Sequence, residues 1–448
     1  MLTGVTLAEW NATSRGSYSE CFMTELNKNP GQRDELHVVH TENYDPIAWT
    51  VPSIKRLTPA VSEVGADTEE KELITIVTYT INTTAAYLSG ATMVLVPPEV
   101  ELRDEYKKDY RFKLVDDFGY KVTQRAVFGA NKVDIYTLDP HDQIILRKHF
   151  TPASEEAGMR ERMGLDTVCK DLVTHSPATK LQYKQQFPYS FYPGKAFPVN
   201  KLDSTISMYH TYEMQLDMRY LINLFKYNPS TCSWELVPGE VDRSLFKKLG
   251  KVPTPSLFLR FSDMSPIQME AMLMNENKPF YIYNMVNCDA PGRHKPDDDV
   301  TASIKGFDGL VQVLFWALEN CTHHSSNVTC NYVSDTVPTK KSQTAIAYNT
   351  LKTTTGSKFE ALDSGLLDGE LSFGVLPNAG TRDGILSYSY VERVGPGNNG
   401  GCNAQGVATD LTCKISSRSQ DRARYRLIVR ALVIKRMTIN GGRISIDA

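Results

Sequence analysis

One short apolar segment, Leu310–Leu318, constrains the fold of this chain more than any other stretch of the sequence. The segment follows a turn signal at Asp308-Gly309, it is rich in Val, Phe and Trp, and only Gln312 interrupts the apolar run. A run this short, bounded by turn residues and rich in β-branched and aromatic side chains, is typical of a strand buried on both faces rather than of a helix. The sequence therefore predicts a central strand at this position.

The rest of the chain also favours short strands. The sequence contains 28 Gly and 23 Pro, which divide it into short segments. Apolar residues alternate with polar ones in Leu386–Tyr390 and, less strictly, in Leu257–Phe261. Ile74–Ile81 is rich in β-branched residues, and its pattern shifts phase between Ile76 and Val77, which predicts a β-bulge. Many short strands separated by Gly and Pro turns predict an all-β protein of sandwiches or barrels.

Helix signals are few. The best candidate begins at Asp139, an N-cap residue, and continues with Pro140 at the first helical position. A weaker candidate covers Ser265–Met274, with Ser265 as the cap and Pro266 after it. Both are short, so we expect them to be insertions in loops.

Composition and length narrow the class of protein. A chain of 448 residues exceeds what one hydrophobic core usually serves, which predicts two domains. With 41% apolar and 23% charged residues the composition is that of a globular protein. The net charge of −3 argues against a protein whose main role is to bind nucleic acid, because such proteins carry a basic excess.

Targeting signals are not evident in the sequence. The first ten residues have no basic region followed by a long apolar region, and no apolar run approaches the length of a membrane span. We therefore expect a soluble protein made in the cytosol. The glycosylation sequons at Asn11, Asn82, Asn320 and Asn327 are then chance matches.

The eight cysteines form no C-x-x-C pair and no zinc-ligand spacing with His. One hypothesis is that they are reduced and mostly buried thiols. The alternative pairs Cys321 with Cys330 and Cys402 with Cys413 across loops, as disulfides of a particle that meets an oxidising exterior.

Known catalytic and metal motifs are missing from the sequence. It contains no P-loop, zinc-protease, nucleophile-elbow or dinucleotide-binding motif, and no H-x-H pair of the cupin enzymes. His323 and His324 are adjacent, and neighbouring residues of a strand point to opposite faces, so we expect no metal there. The glycine cluster Gly395–Gly401 and the acidic run Asp297–Asp299 are interpreted as a surface loop and a solvated turn. The sequence predicts no enzyme, no cofactor and no metal.

A basic run near the carboxyl end has two interpretations. Arg424, Arg426, Arg430 and Arg436 share a parity, so on a strand they would project from one face. That face could contact an anionic partner, either an acidic neighbouring subunit or anionic lipid head groups. Alternatively it is a solvated face whose charges are paired within the domain.

Several segments resemble, in the same order along the chain, the major capsid proteins of nucleocytoplasmic large DNA viruses, the iridovirus-like members above all. The resemblance covers most of the chain, although each motif alone is short. The segments are Asn43–Ser53, Ser89–Leu102, Phe187–Asn200, Met208–Tyr220, Phe307–Tyr332, Lys341–Thr355, Asp383–Val391 and Arg424–Gly442.

The resemblance implies two tandem eight-stranded antiparallel jelly rolls with short helices in their loops. Together with the turn-rich, strand-poor segment after Tyr227, it implies an N-terminal arm (1–37), a first jelly roll (38–226), a linker (227–252) and a second jelly roll (253–448).

The resemblance also implies a structural, non-enzymatic protein of the virion capsid, assembled in the host cytoplasm. Three copies would form a pseudo-hexameric capsomer that tiles an icosahedral shell. The expected partners are further copies of the chain, minor capsid proteins and the lipid head groups of an inner membrane, with no direct contact to nucleic acid. Two alternatives stay open: a minor capsid paralogue, and a non-enzymatic jelly-roll protein that recognises carbohydrate, for which 22 Tyr and 17 Phe would suit.

Overall fold

The computed structural model describes most of the chain from residue 51 onward. The described residues are 51–57, 60–64, 74–81, 87–151, 153–187, 197–198, 208–263, 280–306, 309–335, 344–367, 376, 384–391, 394, 401–404, 408–416, 423–440 and 443–447. The predicted N-terminal arm, the predicted helix Ser265–Met274 and most of the glycine cluster lie outside them.

Strands dominate the described residues. The amino-terminal half contains β1 Val51–Leu57, β2 Ala60–Val64, β3 Ile74–Ile81, β4 Tyr87–Leu95, β5 Val100–Leu102, β6 Tyr110–Leu114, β7 Thr123–Ala130, β8 Val133–Leu138, β9 His175–Ser176, β10 Leu181–Lys184, β11 Phe197–Pro198, β12 Met208–Gln215, β13 Ile222–Asn228, β14 Ser233–Leu236, β15 Phe246–Lys248 and β16 Ser256–Asp263. The carboxyl-terminal half contains β17 Phe280–Asn287, β18 Asp299–Ile304, β19 Leu310–Asn320, β20 Ile346–Thr353, β21 Gly356–Asp363, β22 Ile385–Ser389, β23 Cys402–Asn403, β24 Thr409–Ile415, β25 Tyr425–Asn440 and β26 Arg443–Asp447.

Helices are short and lie between strands. Within the described residues the α-helices are α1 Phe118–Val122, α2 Pro140–Phe150, α3 Ala153–Arg162 and α4 Ser364–Leu366, and single 3-10 turns cover Asp104–Tyr106, Met218–Tyr220, Arg243–Leu245 and His324–Ser326. None of the helices in the described ranges is long and apolar enough to cross a membrane.

Two antiparallel sheets form the first jelly roll. One has the order β1-β16-β4-β10, with β11 also paired to β4, and the other has the order β2-β3-β12-β7-β8. Their inward side chains form a common core, in which the ring of Tyr79 meets the ring of Tyr212 edge-on at 5.8 Å between centroids. Two smaller sheets, β14-β13-β6 and β15-β5-β9, extend this half.

The second jelly roll repeats this architecture with different side chains. Its sheets have the orders β17-β25-β19-β22 and β18-β24-β20-β21, and both are antiparallel. Trp316 is completely buried between them, and its indole Nε1 donates a hydrogen bond to Oδ1 of Asn349 at 2.8 Å. The predicted all-β fold of two tandem jelly rolls is therefore confirmed.

Strand β19 confirms the prediction made for Leu310–Leu318. Its residues from Val311 to Asn320 are all buried. Leu314 and Trp316 face the core of the second jelly roll, whereas Val313 and Phe315 belong to the core of the first. The strand is buried on both faces because the first jelly roll covers the outer face of the sheet that contains it.

Helix α2 begins where the sequence predicted. Asp139 caps it by accepting a hydrogen bond from the Asp142 backbone nitrogen at 2.8 Å, and the Asp142 carboxylate accepts one from the Asp139 nitrogen at 2.9 Å. This reciprocal capping box satisfies two amides that a helix leaves without internal partners. The helix then packs against the second jelly roll, since the ring centroid of His149 lies 4.9 Å from that of Phe315.

Strand pairing corrects the predicted division of the chain. The predicted linker, residues 227–252, is folded onto the first half, because β14 pairs with β13 and β15 pairs with β5. The prediction placed β16 in the second jelly roll, but β16 pairs with β1 and β4 of the first. The turn signals around residues 227–253 belong to short turns between paired strands. Such turns are rich in the same residue types as linkers, so the sequence alone did not distinguish the two.

The bulge predicted in Ile74–Ile81 is also wrong. The register of β3 runs without a shift against β12 on one side and β2 on the other. A register shift is instead found in β19 between Val311 and Val313. The single polar residue of the apolar run, Gln312, is therefore the residue that the bulge accommodates, and its carbonyl accepts a hydrogen bond from the Tyr390 nitrogen at 2.8 Å.

Candidate functional site

A buried ion cluster lies where α2 of the first jelly roll meets the sheet of the second. At its centre is Arg430 of β25, whose side chain is 1% exposed. Its Nε donates to Oδ1 of Asp142 at 2.8 Å, and its Nη2 donates to Oδ2 of Asp139 at 2.7 Å. Its Nη1 donates to Oδ1 of Asp289, the second residue after β17. One guanidinium thus joins carboxylates from both halves of the chain.

The alternation of β25 explains why Arg430 points to the junction. Tyr425, Val429 and Val433 face the core of the second jelly roll, whereas Leu432 and Ile434 belong to the core shared with the first half. Successive residues of a strand point to opposite faces, so the even-numbered Arg430 points toward the first half. A charge at that position is buried, and it needs partners of opposite charge.

The electrostatics of this cluster follow from burial and from the close ion pairs. Burial disfavours the charged form of Arg430, but the three carboxylates outweigh burial and raise its pKa above the ordinary value. Burial also raises the pKa of Asp139, and the attraction of Arg430 outweighs this effect and lowers it. Burial and repulsion by Asp139 raise the pKa of Asp142 to about 7.

A second ion pair joins β19 to β25. Glu319 of β19 is 1% exposed, and its Oε2 accepts hydrogen bonds from Nη2 of Arg426 at 2.8 Å and from Nε at 3.2 Å. Its Oε1 accepts a hydrogen bond from the backbone nitrogen of Cys330 at 2.8 Å. Burial raises the pKa of Glu319, but the nearby His324, His141 and Arg426 outweigh burial and hold the pKa far below its usual range.

His141 of α2 connects this ion pair to the first jelly roll. Its Nδ1 lies 2.8 Å from the hydroxyl oxygen of Tyr332, and its Nε2 lies 3.1 Å from Nη2 of Arg426. The ammonium of Lys148, two helical turns further along α2, lies 5.7 Å from the centroid of the Tyr332 ring. Both ring nitrogens of His141 therefore have polar neighbours from the second half.

The loop after β19 is also fixed against the first half by hydrogen bonds. Nδ2 of Asn327 donates to the carbonyls of Arg219 at 2.7 Å and Ile222 at 2.8 Å. Nδ2 of Asn223 donates to the Ser326 carbonyl at 2.8 Å. The two jelly rolls are thus joined by ion pairs, by loop hydrogen bonds and by the apolar face of β19.

Of the two interpretations of the basic run, pairing within the chain is the one observed for Arg426 and Arg430. Arg430 is 1% exposed and pairs with three aspartates, and Arg426, whose side chain is 39% exposed, pairs with Glu319. Arg424 is half-buried, and its Nη1 donates to the Ala423 carbonyl at 2.9 Å. The side chain of Arg436 lies outside the described residues. The shared parity places Arg430 on the side of β25 that the first jelly roll covers.

The predicted disulfides are not formed in this structure, where all seven described cysteines are free thiols. Cys413 is buried in the core of the second jelly roll, and its Sγ donates to Oδ1 of Asn349 at 3.4 Å. Cys402 belongs to the other sheet, where its partner is Val311. Cys321 and Cys330 lie near the same carboxylate, that of Glu319.

Sequence reasoning missed the acidic members of the junction, although two signals were present. Asp142 is the third residue of α2, where a carboxylate completes a capping box. Glu319 is a single carboxylate at the end of an apolar strand, and a buried carboxylate requires a partner. The distance of Asp139, Asp142 and His141 from β25 along the chain hid the pairing.

The ion pairs of the junction connect α2, β19 and β25 with one another. The carboxylates of both ion pairs accept hydrogen bonds from guanidinium groups. The side chains able to hold a metal within the described residues form two overlapping groups, His141–Glu319–Cys330 and Glu319–Cys321–His324. In each group the ligand atoms lie within 4.8 Å of one another.

Two tandem antiparallel jelly rolls, joined through a covered sheet, define the class of fold: it is the double jelly-roll fold of capsid proteins from large DNA viruses and virophages. No protein-family model matches the sequence, and no curated protein matches it.

The similarity to particular solved structures is spread over nearly the whole chain. PBCV-1 VP54, in a crystal structure fitted into a reconstruction of the virophage Sputnik, has a TM-score of 0.64 at 11% identity, covering 89% of this chain and 97% of that chain. The Faustovirus major capsid protein has a TM-score of 0.57 at 8% identity, with coverages of 88% and 91%. A chain of the Sputnik virophage structure has a TM-score of 0.54 at 9% identity, with coverages of 89% and 88%. At these identities the similarity establishes the fold.

Proposed function

We propose that this chain is a structural capsid protein of a virion and that it has no catalytic role. The observation that carries the proposal is the coverage of both jelly rolls in one alignment, 89% of this chain against 97% of PBCV-1 VP54. A fold alone does not define a function, but the similarity here extends over both jelly rolls in one alignment. The junction described above supports the same role, because shell subunits must transmit force without separating.

The mechanism is mechanical. Two jelly rolls held side by side give each chain two similar towers, so three copies would make a ring of six near-equivalent towers with only three-fold symmetry. Such a pseudo-hexameric capsomer can tile an icosahedral shell. The ring has six near-equivalent positions only if the two rolls of each chain keep a constant relative placement. The buried Arg430 cluster and the loop contacts of Asn327 fix that placement.

The proposed partners follow from this role. Further copies of the chain would meet within the trimer and between trimers, and minor capsid proteins would contact the trimers. The head groups of an inner membrane would lie beneath the shell, with no direct contact to nucleic acid. The protein would be found in the virion and assembled in the host cytoplasm. Two alternatives to this role stay open. A minor capsid paralogue would have the same fold, whereas a carbohydrate-recognition protein would bind sugar and form a smaller assembly.

Electron microscopy of the purified protein tests this proposal. Negatively stained particles of the full chain should average to a pseudo-hexagonal outline with three-fold symmetry and a central pore or depression. Glycan arrays should show no binding. Particles with the outline of a single chain, together with saturable binding to a glycan, would replace the capsid proposal with the recognition protein.

A further inference from the structure

The loop that follows β19 brings three different ligand atoms together. Residues 324–326 form a 3-10 turn, and Asn327 after it has a φ of 62°, so the chain reverses direction there. This reversal places Nε2 of His324 3.3 Å from Oε1 of Glu319. Sγ of Cys321 lies 4.0 Å from Oε2 of the same carboxylate. The three ligand atoms lie within 4.8 Å of one another.

One of these atoms has no hydrogen-bond partner. Nε2 of His324 is buried, and its geometry toward Glu319 makes no hydrogen bond despite the short distance. A buried ring nitrogen without a partner is costly, since it has lost its hydration. A metal ion between the imidazole and the carboxylate would satisfy it.

We propose that Glu319, Cys321 and His324 bind a divalent transition-metal ion of the zinc class. An imidazole nitrogen, a thiolate sulfur and a carboxylate oxygen are the donors that zinc takes in proteins, with bonds of roughly 2.0–2.3 Å. Tetrahedral ligands at those lengths are separated by about 3.5 Å, so shifts of the order of 1 Å would close the site. The soft sulfur favours zinc over magnesium or calcium.

The overlapping group His141–Glu319–Cys330 is less suited to the ion. Both nitrogens of His141 already face polar neighbours, the Tyr332 hydroxyl and the Arg426 guanidinium. The two carboxylate oxygens of Glu319 have different neighbours. Oε2 is held by Arg426, whereas Oε1 points toward His324. Nε2 of His324, which faces Glu319 but makes no hydrogen bond, therefore selects the group that contains Cys321.

The surrounding loop holds these ligands in place before any ion binds. The Cys321 nitrogen donates to the Arg424 carbonyl at 2.7 Å, which fixes the loop to β25. The Thr322 hydroxyl donates to Oδ1 of Asn320 at 2.6 Å, and Asn327 holds the far side of the loop to the first jelly roll. An ion here would therefore fix the loop that bridges the two jelly rolls.

Cobalt binding to the full-length protein tests the site directly. Chelator-treated protein would be titrated with Co²⁺, because a thiolate–cobalt bond gives a charge-transfer band that zinc then abolishes by displacement. We expect this band in the wild type and its loss in Cys321→Ser. His324→Asn should keep at most a weak band and bind Zn²⁺ at least ~100-fold less tightly, since even residues that only support ligands contribute 10–100-fold. The matched control is Cys232→Ser, which removes an exposed thiol from the turn between β13 and β14.

Folding of the variants is checked independently of the metal. Circular dichroism and the metal-free melting temperature of Cys321→Ser should match those of the control, and added Zn²⁺ should raise the melting temperature of the control but not of Cys321→Ser. If Cys321→Ser fails to fold, Cys321→Ala takes its place. The proposal is overturned if wild-type protein gives no thiolate band. It is equally overturned if Cys330→Ser abolishes the band while Cys321→Ser retains it.

Discussion

Arg430→Met should destabilise the protein more than any other single change of a charged residue at the junction. The methionine fills a similar volume without the charge, and it leaves Asp139, Asp142 and Asp289 without the guanidinium that pairs them. Removing one partner of a buried ion pair typically costs about 3–5 kcal/mol, because the remaining charge stays buried and uncompensated. With three carboxylates on one cation, we expect at least about 4 kcal/mol.

Urea unfolding at pH 7 measures this loss, together with hydrogen exchange of the α2 amides. A chain with two jelly rolls need not unfold in one step, so the first transition is the one to compare. The matched control is Arg424→Met, which removes a cation immediately before β25 whose Nη1 donates to the Ala423 carbonyl, and it should cost less than about 1 kcal/mol. Exchange should accelerate in α2 only for Arg430→Met.

A rescue experiment separates charge from packing. If uncompensated carboxylates cause the loss, then adding Asp139→Asn and Asp142→Asn to Arg430→Met should recover about half of it or more. The deficit of Arg430→Met should also narrow as the pH falls below about 7, because the pKa of Asp142 is already about 7 beside the guanidinium and rises when the guanidinium is removed. An Arg430→Met variant within 1 kcal/mol of the Arg424→Met control would refute the reasoning.

Three further predictions concern other parts of the fold. Burial lowers the pKa of His210 from 6.5 to about 3. As the pH falls, His210 therefore takes up a proton in the unfolded chain before it does so in the folded one, and the free energy of unfolding drops by roughly 3 kcal/mol between pH 7 and pH 4. In chemical unfolding, His210→Gln should show a shallower dependence of this free energy on pH. Phe315→Ala should lower the free energy of unfolding in urea by about 3–5 kcal/mol, whereas Phe359→Ala, at a half-buried position, should lower it clearly less. Equal losses would contradict the claim that the first jelly roll covers this face of β19. Without reductant, maleimide should label the exposed Cys232 within the folded protein and the buried Cys413 only after unfolding; failure to label Cys413 in denaturant would indicate a disulfide.

The sequence predicted those features whose cause is local. The strand at Leu310–Leu318 followed from its length, its flanking turns and its side chains, and the start of α2 followed from its cap at Asp139. The predicted bulge in Ile74–Ile81 failed, because the pairing of β3 with two neighbours keeps β-branched residues in register despite an irregular pattern. The prediction of the domain boundary failed because hairpin turns and linkers are rich in the same residue types.

The junction could not be predicted, because it depends on contacts between distant parts of the chain. Parity placed Arg426 and Arg430 on one face of β25, but no local signal showed that the first jelly roll covers this face. The carboxylates that pair with Arg430 lie on α2 and after β17, far from it along the sequence. The ligand group around Glu319 could not be predicted for a related reason. On a straight strand His323 and His324 point to opposite faces, and it is the turn at 324–326 that brings His324 to the carboxylate.

Light scattering of the purified full-length protein measures whether the chain assembles as a capsid subunit would. A capsid subunit of this fold should be a homotrimer whose interfaces each bury well above ~1,000 Å². The measured mass should be about three times the 50.3 kDa of one chain, at micromolar concentration and without added ligand. A stable monomer of one chain mass, or a dimer that forms only with sugar, would contradict the claim.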